Sequence, residues 1–372
     1  MSFLGQFTYG YPVISQNIVS NIPDDAIVPF SVGSSLKGNV LGITFGDFKS
    51  QSTTTFIHEN VQLGSNSYRD GDVTNKYYNT AIGFKAGGNY SNYNQFYNIF
   101  LGYEAGYNFQ NGQSNTFIGE TAGVSGNNSN YNVGIGYANS STLTNCDTNT
   151  SIGHFAMTSA TNSNDNVAIG TSVLNSTSFS NKNIGLGFFA LNGINGSDNN
   201  IAIGIYASSY AFNSNYNVTI GNGAGKFLTS AQSNVYIGNS VACNSFTSAV
   251  QNVAIGLSVM PNVTTGSYNI ALGNQAILDC TVAYNNIAVG NSAGQNISIG
   301  SQNIFIGNGA SSTMNNAVNQ VAIGTDAKTN ANNQLAIGSS TSPLGTITTE
   351  TVTSTKTWAI KINGTIHKIL LA

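Results

Sequence analysis

Between Ser163 and Ala190 the chain reads SNDNVAIGTSVLNSTSFSNKNIGLGFFA, and the stretch repeats itself. Asn166-Val-Ala-Ile-Gly170 is answered 17 residues later by Asn183-Ile-Gly-Leu-Gly187. The same phrase closes on glycines 83, 102, 119, 136, 153, 170, 187, 204, 221, 238, 256, 273, 290, 307, 324 and 338. The steps are 19, then eight of 17, then 18, four of 17 and a last of 14, with a half-unit, Asn296-Ile-Ser-Ile-Gly300, inside one of them. A fixed short period is the mark of a solenoid in which each repeat is one coil. Seventeen residues are too few for a helix pair, and the apolar period is 2 rather than 3.6, so the coils are built from strands.

The columns of the repeat carry the physics. The residue before each Gly is Ile, Leu or Val, as at Ile82, Leu101, Ile118 and Leu186; three before it stands Thr, Ile, Val or Leu, as at Thr80, Ile99 and Val167. Two positions apart on a strand means one face, and the bulk of these side chains makes that face the expected interior. The residue between them varies (Ala81, Phe100, Phe117, Gly134, Ser151, Tyr236, Phe305) and is expected on the opposite, outer face, where the surroundings are more variable. Three after the Gly comes a small residue, usually Ala, predicted where two walls approach closely. Four before it stands Asn in nearly every unit, from Asn79 to Asn303, replaced by Gln320 and Gln334 in the last two coils. Asn is poor in strands, so its column needs a cause. In-register stacking supplies one, because identical amides one strand apart hydrogen-bond up the stack as a ladder. Gly provides the positive-φ turn that ends each strand.

Composition agrees. Gly is 42 of 372 residues and Asn is more abundant still, while charged residues make up 7% against about 25% in ordinary domains. With 40% hydrophobic and 10% aromatic residues, the chain has too much apolar material for plain disorder. The net charge is −3 and Arg69 is the only arginine, so the clustered cations of a nucleic-acid binder are missing. No apolar run approaches the roughly 18 residues of a membrane helix, so no membrane insertion is expected. Cys146, Cys243 and Cys280 share no CxxC spacing and read as small buried hydrophobes made in a reducing compartment, rather than as a disulfide framework or zinc site.

Four segments follow. Residues 1–45 lack the motif and form an N-terminal attachment or capping segment; 46–78 hold irregular transition coils ending at Gly46 and Gly64; 79–341 are the repeat domain. Residues 342–372 begin as a Thr-rich extended segment and finish as alternating strands around Asn363-Gly364, a strong hairpin signal. Open solenoid ends are unpaired strand edges, so both terminal segments are expected to cap.

The units NTAIGFKAG, NIFLGYEAG, NTFIGETAG and NVAIG resemble the head repeats of trimeric autotransporter adhesins, and more closely the NT-x-IG-x-x-AG repeats of phage and other viral fibre proteins. The resemblance covers about 79–341. It implies an all-β, left-handed parallel β-roll of about sixteen coils, with three chains side by side in a homotrimer. Met1–Gly10 lacks the basic and apolar regions of an export signal, and the C-terminal residues do not read as a membrane-anchor barrel, both departures from the autotransporter pattern. The expectation is therefore a virion fibre, tail or capsid, assembled in the host cytoplasm. Residues 1–45 would join other virion structural proteins, and the rod would place a host-attachment surface on a cell-surface carbohydrate. The rival readings are a virion spacer without its own receptor site, a bacterial surface adhesin, and a fibre that cleaves glycans with an acid pair formed between chains. An ice-binding solenoid would need a Thr column in every coil, which is absent outside 346–357.

No catalytic residue, cofactor or metal is expected. His58, His154 and His367 are scattered, GNGAG at Gly221–Gly225 is an ordinary repeat unit, and RDGDVTN at Arg69–Asn75 reads as a solvated turn rather than a Ca²⁺ loop. Exposed aromatics are read in two ways, as wedges between adjacent rolls of the trimer or as a binding surface, whose faces suit sugar rings while amides meet the hydroxyls. The candidates are Tyr90, Tyr93, Phe96 and Tyr97 in the loop GGNYSNYNQFYN, and Trp358 near the terminal hairpin.

Overall fold

The computed structural model describes residues 27–30, 41–44, 61–64, 76–88, 94–244, 246–343, 357–362 and 365–370. Two compact units divide the chain, Met1–Glu59 and Asn60–Ala372. In the first, Ile27–Phe30 pairs antiparallel with Leu41–Thr44. The second is an all-β parallel solenoid of about fifteen turns, its strands about 17 residues apart, with no helix among the described residues.

One wall runs the length of this unit, from Val61–Leu63 to Leu335–Ile337, each strand three residues long and paired parallel with the next coil. Register is strict: Val167 faces Ile184, Ala168 faces Gly185 and Ile169 faces Leu186. A second wall is clearest over Ser125–Asn127, Thr142–Thr144, Ser159–Thr161 and Ser176–Ser178. A third pairs Lys76–Tyr77, Gln95–Phe96 and Gly112–Gln113. Near the end of the chain Thr357–Ile362 and Thr365–Leu370 pair antiparallel about Asn363-Gly364.

The two faces of the long wall are the reverse of the expectation. The middle residue of each strand points inward: Ala81, Phe100, Phe117, Ser151, Ala168, Tyr236 and Phe305 are fully buried. The flanking Ile, Val and Leu point out, with Ile99 42%, Ile169 36%, Leu186 42% and Ile270 39% exposed. Period-2 alternation fixes which residues share a face but not which face lies inside. A 17-residue coil is thin, and its interior admits one side chain per strand, where Ala, Gly or Ser suffices in most coils. The small column three after Gly does lie inside, as at Ala86, Ala105, Ala122, Ala190 and Ala207.

Interior volume is balanced within several coils. Phe100 and Phe117 stack with centroids 6.2 Å apart, and Phe109 is wedged against both. The residue six further on from each of the first two is Gly, and a Cβ on Gly123 would lie 2.3 Å from the Phe117 ring. Where the strand residue shrinks to Ala168, its counterpart grows to Leu174, also fully buried. Such complementary filling keeps the core close-packed.

The Asn column forms the expected ladder. Asn183 Nδ2 donates to Asn166 Oδ1 at 3.1 Å and to the Ser197 carbonyl at 2.8 Å. The pattern continues from Asn98 on Asn79 to Asn303 on Asn286, after which Gln320 N–H donates to Asn303 Oδ1. Gly170, at φ +130, shows why the marker must be glycine. A Cβ there would sit 2.2 Å from the Gly187 carbonyl oxygen of the next coil.

Candidate interaction surfaces

Three surface features run along the coils. The first is the outward face of the long wall, a parallel sheet studded with aliphatic side chains from Val61 to Ile337. Monomeric proteins rarely leave contiguous apolar patches beyond a few hundred Å², and this one spans the stack.

The second is a column immediately before the ladder asparagines. Each residue there adopts the left-handed conformation: Tyr78, Tyr97, Ser114, Tyr131 and Tyr216 have φ of 58, 58, 57, 58 and 60°. A corner is forced at this point because the next residue must turn its amide inward to the ladder, which throws the preceding side chain outward. Tyr97 is 58% exposed and lies parallel to Tyr78, with centroids 5.1 Å apart and 3° between planes. Gln113 Nε2 donates to Tyr131 Oη at 3.3 Å.

The third is a ridge just after the marker glycines. Phe84 stacks on Tyr103 at 5.4 Å, and Tyr137 on His154 at 5.2 Å. Lys85 pairs with Glu104 at 2.9 Å, a hydrogen bond that raises the lysine pKa above its ordinary value. Lys226 stands over the Tyr206 and Phe227 rings, 4.9 Å from each centroid. These ridge residues escaped the sequence reading, although they recur at the same period of 17. Their identities vary too much from coil to coil to draw the eye as a column.

Of the predicted binding residues, Tyr97 is exposed and its neighbour Phe96 half-buried. Tyr90 and Tyr93 lie outside the described residues, and so does Arg69–Asn75. Trp358 lies on the strand Thr357–Ile362, its side chain outside the described part. Among the described residues no three His, Cys, Asp or Glu side chains gather as a metal site would require, and no helix is long and apolar enough to cross a membrane. His154 serves as an aromatic in the ridge, edge-on to Phe155 at 4.1 Å.

The cysteines divide. Cys146 and Cys280 are buried, and Cys243 is only partly so, which corrects its reading as a buried hydrophobe. Burial pushes the Cys280 thiol up to about 12. Burial also raises Cys146, which occupies a place in a column of serines and donates from Sγ to the Thr144 carbonyl at 3.2 Å. The Tyr236 hydroxyl is raised as well, by burial, with Asn252 pulling the other way.

No protein-family model matches the chain, and no curated protein matches it.

Proposed function

We propose that the chain is a viral fibre protein, a left-handed β-roll that trimerises side by side and carries a surface for attachment to host-cell glycans. One observation supports this reading above the rest: the outward Ile, Val and Leu pair of the long wall recurs in nearly every coil, and a member of it is more than a third exposed in many of them, as Ile99, Leu186 and Ile306 are at 42, 42 and 41%. A continuous aliphatic sheet face of this kind stays soluble only if it is covered. The repeat is regular enough that a second and third copy, in the same register, would cover it along the whole length. The interior of a single coil is thin and rich in Ala, so burying the aliphatic face between chains would contribute what the small core lacks.

The remaining elements fit the same reading. Residues 1–45 would join the fibre to other virion proteins. The aromatic columns at the coil corners, with neutral amides and hydroxyls beside them, have the chemistry of a carbohydrate surface rather than of an enzyme site.

The test has two arms. Light scattering of the purified full chain is expected to give a mass near three times 38.8 kDa, and Ile169→Asp with Leu186→Asp is expected to reduce it to the single-chain mass. A monomeric wild type overturns the trimeric fibre. Binding of the full chain to an array of immobilised oligosaccharides tests attachment, and an array without signal overturns the carbohydrate reading.

A further inference from the structure

We propose that Tyr97, Ser114 and Tyr131 form a slot that holds one pyranose ring between two tyrosine faces. The inference rests on the carbohydrate-attachment reading above and names its site.

The three residues occupy the same position of three successive coils and share one backbone conformation, with φ of 58, 57 and 58°. Their coils are held in register by the Ser114 N–H on the Phe96 carbonyl at 2.8 Å and the Tyr131 N–H on the Gln113 carbonyl at 2.9 Å. Each side chain therefore leaves the corner in the same direction, one strand spacing from the next. Tyr78 and Tyr97 show what adjacent rings do here: they lie parallel at 5.1 Å and cover one another's faces. A continuous tyrosine column would offer a ligand only ring edges.

Ser114 breaks the column. Its small side chain leaves one ring missing between Tyr97 and Tyr131, which start two strand spacings apart, about 10 Å. Rings stack on a partner at centroid separations from about 4.5 Å upward, so a gap of that depth takes a single six-membered ring with an aromatic face on each side. The far wall is tied down by the Gln113 amide on the Tyr131 hydroxyl. Tyr97 and Tyr131 are 58% and 55% exposed, so the opening faces solvent.

The chemistry around the slot selects a sugar. Ser114 brings a hydroxyl to its floor, Gln113 an amide and Tyr131 a phenol to its edge, and none of the three carries charge. A pyranose presents apolar C–H faces to the tyrosines and hydroxyls to these polar groups. The ridge after the marker glycines has a comparable break, at Glu120 between Tyr103 and Tyr137, but there a longer, charged side chain stands in the gap. In the column of Tyr97, no other described pair of tyrosines is separated by a single coil.

The deciding variant is Ser114→Tyr. Tyrosine already occupies this column at 78, 97 and 131 with the same φ, so the backbone accepts it and the variant closes the slot without unfolding the coil. The probes are the methyl pyranosides of glucose, galactose, mannose, rhamnose and N-acetylglucosamine at millimolar concentration, followed by saturation-transfer NMR on the full chain. At least one is expected to receive transfer through its ring C–H protons from the wild type. Binding is expected to fall at least tenfold in Ser114→Tyr and about three- to tenfold in Tyr97→Ala, with the solution mass unchanged. Wild-type affinity retained in Ser114→Tyr overturns the slot. If oligosaccharides still bind the array in that case, the attachment reading stands and the sugar lies elsewhere. Absence of transfer to every pyranoside overturns the slot, and an empty array would overturn the attachment reading with it.

Discussion

The backbone N–H and the side-chain Nδ2 of Asn183 both donate to one atom, Asn166 Oδ1, at 2.9 and 3.1 Å. The carboxamide oxygen of each coil thus accepts twice from the next, while its nitrogen reaches a main-chain carbonyl 14 residues onward. Both ends of the amide are used and the group is fully buried, so the ladder satisfies polar atoms that a strand interior otherwise leaves costly.

Replacement in the middle of the ladder should therefore cost more than one hydrogen bond. Asn183→Ala leaves the Ser197 carbonyl without its donor, and removes the acceptor for both the N–H and the Nδ2 of Asn200. Each buried orphan costs about 1–3 kcal/mol. The variant is expected to lose several kcal/mol in guanidinium unfolding, whereas Asn222→Ala, at an exposed position of ordinary φ, is expected to change stability by no more than about 0.5 kcal/mol. Equal effects at the two sites would refute the ladder as a stabilising element.

Inside the coil, Phe117 and Gly123 exchange volume, as Ala168 and Leu174 do with the sizes reversed. Phe117→Ala alone is expected to cost about 3–5 kcal/mol through the cavity it leaves. Gly123→Leu alone overpacks the site, since even a Cβ would meet the ring at 2.3 Å. The double variant rebuilds the Ala168 and Leu174 arrangement. Leu174 holds φ of 49° at the equivalent position, so the corner tolerates Leu. Recovery of about 1–3 kcal/mol relative to the sum of the singles, in a thermal or denaturant series, is the expected result.

Much of this fold could be read from the chain because it is periodic. Stacking forces each column to solve one problem at every level, so the glycines at 170 and 187 and the amides at 166 and 183 announce themselves. The orientation of the wall could not be read in the same way. Ile169 looks like a core residue yet is 36% exposed, because a period of two fixes which residues share a face and not which face lies inside. The corners were also illegible: Tyr97 and Tyr131 sit in the left-handed region that a tyrosine seldom adopts, and no local propensity signals this. The cost, about 1–2 kcal/mol per residue, is offset by the coil-to-coil hydrogen bonds that fix the corner. Of the two tyrosines of the proposed slot, the sequence singles out Tyr97 through its aromatic cluster. Tyr131 does not stand out, because its counterpart is 34 positions away and the feature that sets the pair apart is the small residue between them.

The buried thiol of Cys280 gives a prediction about pH. Burial raises its pKa to about 12, while the same thiol in the unfolded chain titrates near 8.5. The folded state therefore keeps a proton that the unfolded state loses. The stabilisation is fully present below pH 8 and is lost progressively as the pH rises from about 9 toward 12, with a slope of at most about 1.4 kcal/mol per unit. Cys146 and Tyr236 shift in the same direction for the same reason, the tyrosine acting only above its ordinary value near 10. The window from pH 8.5 to 10 thus isolates the thiols. Cys280→Ala is expected to flatten the fall of denaturant midpoint across that window, and Cys146→Ala to flatten it less. In parallel, a thiol reagent at pH 8 is expected to label the partly exposed Cys243 in the native protein, and all three cysteines after unfolding. Rapid native labelling of Cys280, or a wild-type midpoint that does not fall above pH 9, would show that its coil opens far more readily than a sealed interior allows.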